Sequence, residues 1–468
     1  MKLPNECSAS GVTRNTFVKE STFPYPAATV FDWHTRPGAF ERLNTPWKPV
    51  AVLQSGSGIQ NGTEVLIKVP VLGPLGVRWK LRHTNYTSGE RFTDEQIEGP
   101  FKSWRHVHSV ASTDATSSTL RDEITYELPA FATPLSALFT RELERLFRYR
   151  HDVLAYDLAL HARWSDKPRK SVLISGSSGL VGSALSSFLT TAGHSVTKLV
   201  RRTPTSPFER MWNPAQRTLD PSIFDGIDVV IHLGGEDISA GRWSAAKKAR
   251  IKESRVTSTQ LLCATLAQLS KPPPVAIMAS AIGYYGDSGT AEVDESSPPG
   301  RGFLADTSRE WEAASNALRE SGTRLVTMRI GTVITARGGA LKKMLPAFLA
   351  GVGGTLGHGS QFMSWISLQD LLGAFEHALY SERLHGVVNA VSPTPISNYD
   401  FVKTLGKVLR RPTVLPLPAF VLRTLFGELA DAVLLASTRV VPTSLQTNGY
   451  TFLLSDLEAA LRFECGRR

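Results

Sequence analysis

The stretch 170–202 constrains the fold of this chain more than any other part of its sequence. An apolar run at 172–174 is followed at once by GSSGLVG, and residues 181–189 then repeat apolar side chains at helical spacing. The glycines of the turn lie three residues apart: Gly176, Gly179 and Gly182. Gly193 ends the helical pattern, and 195–200 has the composition of a strand. The stretch therefore predicts a strand, a glycine turn, a helix and a second strand.

A strand, glycine turn, helix and strand form the unit that binds the pyrophosphate of a dinucleotide. The first glycine permits the tight turn, the second lets backbone N–H groups approach the phosphates, and the third lets helix and strand pack closely. The helix N-terminus adds a partial positive charge. An ordinary glycine-rich loop is the alternative. We predict that seven residues bind the pyrophosphate: Gly176, Ser177, Ser178, Gly179, Leu180, Val181 and Gly182.

The end of the second predicted strand indicates which dinucleotide is preferred. Sites that prefer NAD place Asp or Glu there, about twenty residues after the glycines, to bind the ribose 2′-hydroxyl. This chain has Arg201 and Arg202 instead. Two guanidinium groups suit a 2′-phosphate, although a solvated surface pair is the alternative. We therefore predict NADP(H) as the cofactor.

Composition limits the classes of protein to which this chain can belong. Its 468 residues exceed one ordinary domain, and 42% hydrophobic with 20% charged residues describe a globular protein with sizeable cores. The basic residues behind the net charge of +10 are scattered among acids, so nucleic acid is not expected as a partner. The most apolar late segment, 415–437, is interrupted by prolines and charges, so no membrane span is predicted.

The cysteines and the first residues bear on the compartment. Cys7, Cys263 and Cys465 are far apart and fit neither a disulfide framework nor a zinc site. The first residues, MKLPNECSASG, lack the apolar segment of a secretory signal. The sequence therefore predicts a reducing cytoplasm, and it predicts no metal site.

Residues 1–165 have a different pattern from the rest of the chain. Polar and apolar side chains alternate, which is typical of half-exposed antiparallel strands. A helical piece precedes these strands at 26–43, and a long helix follows them at about 135–161. Turns are predicted at 55–58, 72–74 and 87–89.

This order of elements, with FPYPAATVFDWHTRPGAFERL near its start, resembles the START-like (SRPBCC, helix-grip) superfamily. The resemblance implies an α+β domain whose curved sheet grips the last helix around an apolar cavity. A small hydrophobic ligand or a partner surface is then expected, and a domain filled by its own side chains is the alternative. The polar stretch 164–170 is predicted to be a linker.

Strands alternate with helices from 170 to about 400. Further buried strands are predicted at 228–233, 274–280, 324–329 and 386–391. The alternation predicts an α/β fold, a doubly wound parallel sheet of Rossmann type with ligands at the carboxyl ends of its strands. The turn after the third strand is predicted to lie against the adenine-ribose side of the cofactor: Leu233, Gly234, Gly235 and Glu236.

The motifs GSSGLVG, IHLGGEDIS, ESRVTSTQLL, SAIGYYGD and RVVPTSLQTNGYTF resemble the epimerase-like atypical short-chain dehydrogenase/reductase family, a relative of the nucleotide-sugar epimerases. The resemblance covers about 170–465. It implies three domains: a START-like domain at 1–165, an NAD(P)-binding domain at 170–397, and a small C-terminal domain at 398–468 that completes the substrate cleft.

Extended members of that superfamily use a Tyr-x-x-x-Lys pair to move a proton while the cofactor moves hydride. Here the corresponding positions are Leu304 and Ser308, so the usual pair is absent. The strand end SAIGYYG offers Tyr284 as the first candidate for the catalytic donor and Ser280 as the second, and Tyr285 aligns with a structural residue. Packing and support of the cofactor are the alternative roles.

The resemblance also places residues on the substrate side of the cleft. The candidates are Arg242, Trp243, His358, Gln361 and Trp365. The guanidinium groups of Arg242 and Arg255 would suit a carboxylate or phosphate, with a surface ion pair as the alternative.

Two functions remain open at this point. The first is an NADP(H)-binding, epimerase-like oxidoreductase that acts on an unknown small molecule. The second is a non-catalytic NADPH-responsive module in which the cofactor governs binding of a lipid or partner by the START-like domain. The absent Tyr-Lys pair favours the second function, and the retained cleft residues favour the first.

Overall fold

The computed structural model describes most of the chain, namely residues 14–54, 56, 58–72 and 75–468. Cys7 lies outside these residues, and so do parts of the turns predicted at 55–58 and 72–74. Among the described residues, no helix combines the length and the apolar composition needed to cross a membrane. The chain divides into two compact units, Met1–Ala162 and Arg163–Arg468, and each is described by itself.

The first unit contains an antiparallel sheet and a long helix that follows it. In the described part of this unit, the strands are β1 (Asn15–Phe23), β2 (Ala51–Gln54), β3 (Glu64–Leu72), β4 (Leu75–Thr87), β5 (Arg91–Glu98), β6 (Ser103–Ser112) and β7 (Ser118–Glu127). They pair in the order β1-β7-β6-β5-β4-β3-β2, with all neighbours antiparallel. The helices are α1 (Ala27–Thr35), α2 (Ala39–Leu43) and α3 (Ser136–Ala162). The predicted antiparallel strands and long helix are confirmed, and the helix-grip assignment stays a prediction.

Alternation along the strands gives this sheet one buried face. In β7 every second side chain from Ser118 to Tyr126 is buried, and Asp122 is one of them. Leu143 and Phe147 of α3 pack in the same core as Ile124 of β7. The core therefore consists of apolar side chains interrupted by buried polar groups.

The second unit is built on a parallel sheet. In the described residues this sheet comprises β8 (Ser171–Ser175), β9 (Ser195–Val200), β10 (Glu209–Met211), β11 (Val229–His232), β12 (Val275–Ala281), β14 (Arg324–Ile330) and β18 (Gly386–Ala390). Its order is β10-β9-β8-β11-β12-β14-β18, and all neighbours are parallel. The order reverses between β8 and β11, which is where an open parallel sheet of this kind binds ligands. The predicted Rossmann-type sheet is confirmed, and β10 is a strand that the sequence reasoning missed.

The remaining elements of the second unit flank this sheet. Short strands pair in twos: β13 (Glu292–Val293) with β20 (Arg439–Val440), β15 (Thr332–Ile334) with β17 (Trp365–Ser367), and β16 (Phe362–Met363) with β19 (Ile396–Ser397). The helices are α4 (Leu180–Thr191), α5 (Ala245–Ala267), α6 (Phe303–Ala313), α7 (Gly339–Leu349), α8 (Leu368–Tyr380), α9 (Asn398–Leu409), α10 (Ala419–Phe426), α11 (Thr443–Thr447) and α12 (Leu457–Cys465). Pairing of β13 with β20 ties the C-terminal segment to the middle of the unit.

The stretch predicted to be a linker is packed within the second unit. The Trp164 ring stacks on Tyr380 with centroids 5.1 Å apart. The Tyr380 hydroxyl donates a hydrogen bond to the carbonyl oxygen of Pro168 at 3.1 Å. The stretch 164–170, whose polar composition predicted a linker, is therefore packed against α8 through the Trp164 ring.

Candidate functional site

The first and third glycines of the turn bring three elements together. Gly176 has a φ of +76°, and a Cβ there would lie 2.7 Å from the carbonyl carbon of Leu233. A Cβ at Gly182 would overlap the carbonyl oxygen of Gly176. Both positions therefore need glycine, because the turn after β8 contacts the end of β11 on one side and α4 on the other.

The last residues of the glycine turn leave the N-terminus of α4 accessible to a ligand. This helix begins at Leu180, and no side chain caps it at Gly179. Ser178 and Gly179 are exposed, whereas Ser177 is buried and Val181 partly buried. The N–H groups of the first helical turn have no intrahelical partners, so they are available to an anionic group such as a pyrophosphate.

A buried histidine lies beneath this turn. Nδ1 of His232 contacts the Ser175 hydroxyl, and its Nε2 lies 3.1 Å from the Ser258 hydroxyl. Burial lowers the pKa of His232 to about 4, so the ring is neutral at physiological pH. A Cβ at Gly234 would lie 3.0 Å from this ring. His232 therefore packs against the two loops predicted to bind the cofactor, which follow β8 and β11. In the sequence, the only sign of this role is a histidine at the end of an apolar strand.

The two arginines after β9 differ in what they contact. Arg202 donates to both carboxylate oxygens of Glu209, at 2.9 and 2.6 Å. Glu209 is 9% exposed, and these hydrogen bonds lower its pKa to about 2. Arg201 is exposed and has no hydrogen bond or ion pair with any described residue. Arg201 is therefore the guanidinium that remains available to a ligand, while Arg202 holds β10 beside β9.

Residues of α5 support the loop after β11 from below. The Arg255 guanidinium donates to the carbonyl oxygen of Glu236 at 3.0 Å, and a Cβ at Gly235 would meet that guanidinium at 3.0 Å. The Ser254 hydroxyl accepts the N–H of Glu236 at 3.0 Å. The carboxylate of Glu236 lies 2.7 Å from Nζ of Lys247. Arg255 and Glu236 therefore shape the loop, and their charged groups are already engaged.

A hydrogen-bonded network lies at the carboxyl ends of β12 and β14. Ser280 donates to Glu312 at 2.6 Å, and Arg329 donates to the same carboxylate at 2.7 and 2.8 Å. Arg329 also donates to the Tyr285 hydroxyl at 2.8 Å, and that hydroxyl donates to Asn389 at 2.8 Å. Burial raises the pKa of Tyr285 to about 12, so it stays a neutral donor. Ser280 and Tyr285 are thus committed to internal partners.

Tyr284 differs from its two neighbours. The Arg329 guanidinium lies 3.4 Å from the centroid of its ring, and its hydroxyl makes no hydrogen bond to any described residue. A Cβ at Gly283 would lie 3.3 Å from Leu304 Cβ and 3.9 Å from the Ser308 hydroxyl. Leu304 and Ser308, the residues predicted to stand at the usual Tyr and Lys positions, therefore lie against this strand end, and neither carries an ionisable group.

Two of the predicted cleft residues hold the loop 236–244 in place. The Trp243 indole N–H donates to the carbonyl oxygen of Ile238 at 2.8 Å. Arg242 donates to the carbonyl oxygen of Thr424, a residue of α10, at 3.2 Å. Both residues are partly or fully exposed, so each can still present a surface to a ligand.

The other predicted cleft residues are distributed between surface and core. His358 is exposed, and its Nδ1 accepts the backbone N–H of Ser360 at 3.2 Å, which leaves Nε2 as the protonated nitrogen. Gln361 is 5% exposed and donates to two backbone carbonyl oxygens. Trp365 is 1% exposed and donates to the carbonyl oxygen of Thr394. Of these three, only His358 presents its side chain at the surface. Gln361 and Trp365 are buried, and their place in the wall of the cleft stays a prediction.

Comparison with known proteins places these features in a family. Residues 172–390 match the NAD dependent epimerase/dehydratase family, and 417–464 match a domain of unknown function, DUF1731. An epimerase family protein of Mycobacterium bovis is 40% identical over 296 residues, which are 63% of this chain and 98% of that protein. The human epimerase family protein SDR39U1 is 37% identical over 294 residues, covering 62% of this chain and 98% of the human one.

Solved structures extend the comparison. The crystal structure of a nucleoside-diphosphate sugar epimerase from Corynebacterium glutamicum has a TM-score of 0.78 at 33% identity, and the match covers 96% of this chain and 90% of that one. Human SDR39U1 (isoform 2), solved with NADPH, has a TM-score of 0.58 at 35% identity, covering 62% and 98% of the two chains.

The first unit is matched at 60–158 by a domain of unknown function, DUF8410. The START-like resemblance of this unit therefore stays a prediction. For the second unit, the sheet order, the glycine turn and the relatives agree. The chain belongs to the NAD-dependent epimerase/dehydratase family, in the group that resembles SDR39U1 and carries a C-terminal DUF1731 domain.

Proposed function

We propose that the protein is an NADP(H)-dependent, epimerase-like oxidoreductase that acts on a small molecule. The observation that carries the proposal is the exposed, uncapped N-terminus of α4 at Ser178 and Gly179, with Arg201 unpaired just after β9 among the described residues. Pyrophosphate and 2′-phosphate are the two anionic parts of NADPH that such a site would bind. The structure of the human relative with NADPH supports this choice of cofactor.

The bound cofactor would supply hydride transfer, and the chain would supply the proton donor. We assign that donor role to Tyr284, whose hydroxyl has no partner among the described residues. An unassisted tyrosine has a pKa of about 10, so it would act as a neutral donor that polarises a carbonyl or stabilises an enolate. Glu312 holds Arg329 against the Tyr284 ring, so both are positioning residues. Ser280 joins them in that role, because its hydroxyl already donates to Glu312.

The rest of the proposal concerns binding and organisation. Arg242, Trp243 and His358 are the residues through which we propose that the second unit contacts its substrate. We keep the division into 1–165, 170–397 and 398–468 as the proposed domains, with a START-like domain for a hydrophobic ligand first. A cytoplasmic location is likewise proposed from the cysteine pattern.

A second candidate function rests on one observation. Leu304 and Ser308 stand where the family places its Tyr and Lys, so the chain lacks the usual means of transferring a proton. A module that binds NADPH without turnover would have the same cofactor end. In this second function the Tyr284 hydroxyl takes part in no reaction, and the cofactor instead governs binding of a lipid or partner by the START-like domain.

The cofactor part of the proposal is tested by comparing Arg201→Ala with Arg202→Ala by calorimetry. Loss of a charge-assisted contact should weaken NADPH binding by about ten- to a hundredfold in Arg201→Ala. Arg202→Ala should have a smaller effect, because that guanidinium is bound to Glu209. NADH serves as the internal control, since neither variant should change its affinity. Equal affinity of the parent protein for NADPH and NADH would contradict the proposal.

The catalytic part is tested with Tyr284→Phe. The parent protein and NADPH are incubated with carbonyl compounds and nucleotide sugars while the absorbance of the reduced nicotinamide is followed. Tyr284→Phe should lower kcat by about 10²–10³ and leave NADPH affinity unchanged. Weaker NADPH binding with unchanged turnover would assign Tyr284 to cofactor support. No turnover in the parent protein would favour the binding module.

A further inference from the structure

A group of titratable side chains lies inside the first unit, away from the cofactor site. Cross-strand pairing places them on one face of four adjacent strands: His83 of β4 lies opposite Asp94 of β5, Asp94 opposite His106 of β6, and His108 opposite Asp122 of β7. His151 of α3 joins them from the helix side. We call these residues the histidine–aspartate cluster: His83, Asp94, His106, His108, Asp122 and His151.

Asp122 orients the three histidines around it. Its Oδ1 lies 2.9 Å from Nε2 of His106 and 2.7 Å from Nδ1 of His108. Its Oδ2 lies 2.7 Å from Nε2 of His151, whose Nδ1 is bound to the Ser21 hydroxyl. Asp122 is 3% exposed, so this carboxylate is removed from solvent and surrounded by imidazoles. One nitrogen of each ring is thereby assigned to Asp122.

The other nitrogens of His106 and His108 face Asp94. Nδ1 of His106 lies 3.8 Å and Nε2 of His108 lies 3.3 Å from Oδ2 of Asp94. One ligand-type atom from each of these three residues lies within 4.8 Å of the other two. Each of the two imidazoles thus spans from the Asp122 carboxylate to the Asp94 carboxylate.

Some nitrogen–oxygen contacts between histidines and aspartates of the cluster are short, but their angles do not suit a hydrogen bond. Nδ1 of His83 lies 2.6 Å from Oδ1 of Asp94, yet neither atom has a well-directed hydrogen-bond partner among the described residues. The same holds for Nδ1 of His108, although it lies close to Asp122. His108 itself is 8% exposed. Hydrogen bonding inside the cluster therefore leaves buried polar atoms unsatisfied, and such atoms are costly unless a further group binds them.

The walls of the cluster are apolar and keep it rigid. The Phe92 ring stacks on His108 at 4.2 Å, and Phe147 meets His106 edge to face at 5.1 Å. Two carboxylates in such surroundings need compensating positive charge, and Arg150, whose guanidinium lies 5.1 Å from the Phe147 ring centroid, supplies one such charge for the two. A divalent cation supplies further positive charge at the point to which the ligand-type atoms converge.

We propose that Asp94, His106 and His108 bind a divalent transition-metal ion, with Asp122 as the outer carboxylate that orients both imidazoles. Metal-bound histidines commonly donate their second N–H to a carboxylate, which sets the ring orientation and the ligating nitrogen. Two imidazoles and one carboxylate suit zinc, cobalt or iron(II), and do not suit calcium or magnesium, which prefer oxygen ligands. Three protein ligands leave a coordination position open to water or a small molecule.

The test uses the full chain, freed of metal with a chelator and then titrated with cobalt(II) chloride. A saturable visible absorption spectrum of nitrogen-bound cobalt is expected, and stoichiometric zinc chloride should abolish it. Asp94→Asn and His106→Gln should each weaken cobalt binding by about 100-fold or more. His385→Gln, at an exposed histidine of the second unit, is the matched control and should bind cobalt like the parent.

Asp122→Asn separates positioning from ligation. It should keep the stoichiometry and the spectral type while weakening binding by about 10- to 100-fold. Circular dichroism and tryptophan fluorescence, to which Trp33 and Trp104 of the first unit contribute, report whether each variant is folded. X-ray absorption of zinc on the parent protein needs no variant and should show two imidazole ligands. A parent protein that binds no cobalt, binding unchanged in Asp94→Asn and His106→Gln, or a zinc shell with sulfur or with oxygen alone would overturn the proposal.

Discussion

The two sheets of this protein place their polar side chains in different positions. The central strands β8, β11 and β12 of the parallel sheet are buried along nearly their whole length. The groups that could bind or react stand where these strands end, at Gly176, His232 and Ser280. In the antiparallel sheet, polar groups sit in mid-strand, as His106 and Asp122 do. A parallel sheet covered on both faces has no room for unpaired polar groups except at its edge.

This difference indicates where binding and reactive groups are expected in each kind of sheet. At the carboxyl ends of the parallel strands, function depends on backbone groups and on loops that are held at fixed distances from one another. On the face of the antiparallel sheet, function depends on which side chains face each other across neighbouring strands. Substitutions should therefore act differently in the two units, and the following experiments are arranged by the size of the expected effect.

The largest effect is expected from a buried ion pair of the first unit. Arg42 donates to both oxygens of Asp157 at 2.9 and 2.5 Å, and the two side chains are 2% and 0% exposed. Asp157→Ala should lower the free energy of unfolding by about 3–5 kcal/mol, because the buried Arg42 guanidinium loses its bidentate ion pair with this carboxylate. Denaturant unfolding followed by tryptophan fluorescence measures this. Glu144→Ala, at an exposed position on the same helix, should change stability by less than about 0.5 kcal/mol.

The next largest effect is a dependence of the free energy of unfolding on pH, caused by His232 of the second unit. His232 has its pKa lowered from 6.5 to about 4 by burial, whereas the unfolded chain takes up a proton near pH 6.5. Between these pH values the unfolded state binds more protons, so stability falls as the pH falls, by up to about 3 kcal/mol. Below about pH 4 the native state binds the proton as well, and this contribution levels off.

Unfolding of the parent and of His232→Gln at a series of pH values tests this dependence. His232→Gln should be less stable at neutral pH, since contacts to Ser175 and Ser258 are altered, and should lose less stability on acidification. His385→Gln, at an exposed histidine of the same unit, should follow the parent. Parallel curves for the parent and His232→Gln would show that another group causes the acid sensitivity.

A smaller effect on stability distinguishes Gly182 from Gly179, two glycines of the turn after β8. A methyl group at Gly182 overlaps the backbone of Gly176, so Gly182→Ala should lower the free energy of unfolding by about 1–3 kcal/mol. At Gly179 the nearest atom to a Cβ is 3.3 Å away, so Gly179→Ala should leave the melting temperature nearly unchanged. It should still weaken NADPH binding, because the added methyl occupies the approach to the pyrophosphate. Equal stability of the two variants would contradict the packing described for α4.

The smallest effect concerns where the second unit begins. Fragments starting at Arg163 and at Lys170 should both bind NADPH, since the cofactor turn is retained in each. The longer fragment should melt about 2–4 °C higher, because Trp164 stacks on Tyr380. Trp164→Ala in the longer fragment should remove that gain. Failure of both fragments to fold would show that the second unit depends on the first.

Local patterns predicted six of the seven described strands of the parallel sheet to within one or two residues and missed the short strand β10. A strand buried on both faces is a continuous apolar run, which is what such patterns detect. They failed where a partner comes from elsewhere. Arg202 and Arg201 look alike in the sequence, and only the position of Glu209 on the short strand β10 separates them. The resemblance placed Trp365 in the wall of the cleft, and only the fold shows that its indole N–H donates to the carbonyl oxygen of Thr394.

The cofactor end was determined by the sequence itself, because the strand, the glycine turn, the helix and the arginines lie within 170–202 and their spacing alone brings them together. Tertiary structure alone decided the rest. Ser280 meets Glu312 across 32 positions, Tyr285 meets Asn389 across 104, and His151 meets Asp122 across 29. Such contacts form only when separate strands and helices pack, so no local spacing in the chain reveals them. The family's fold is visible in one short stretch, whereas the network around Tyr284 and the histidine–aspartate cluster exist only in the folded protein.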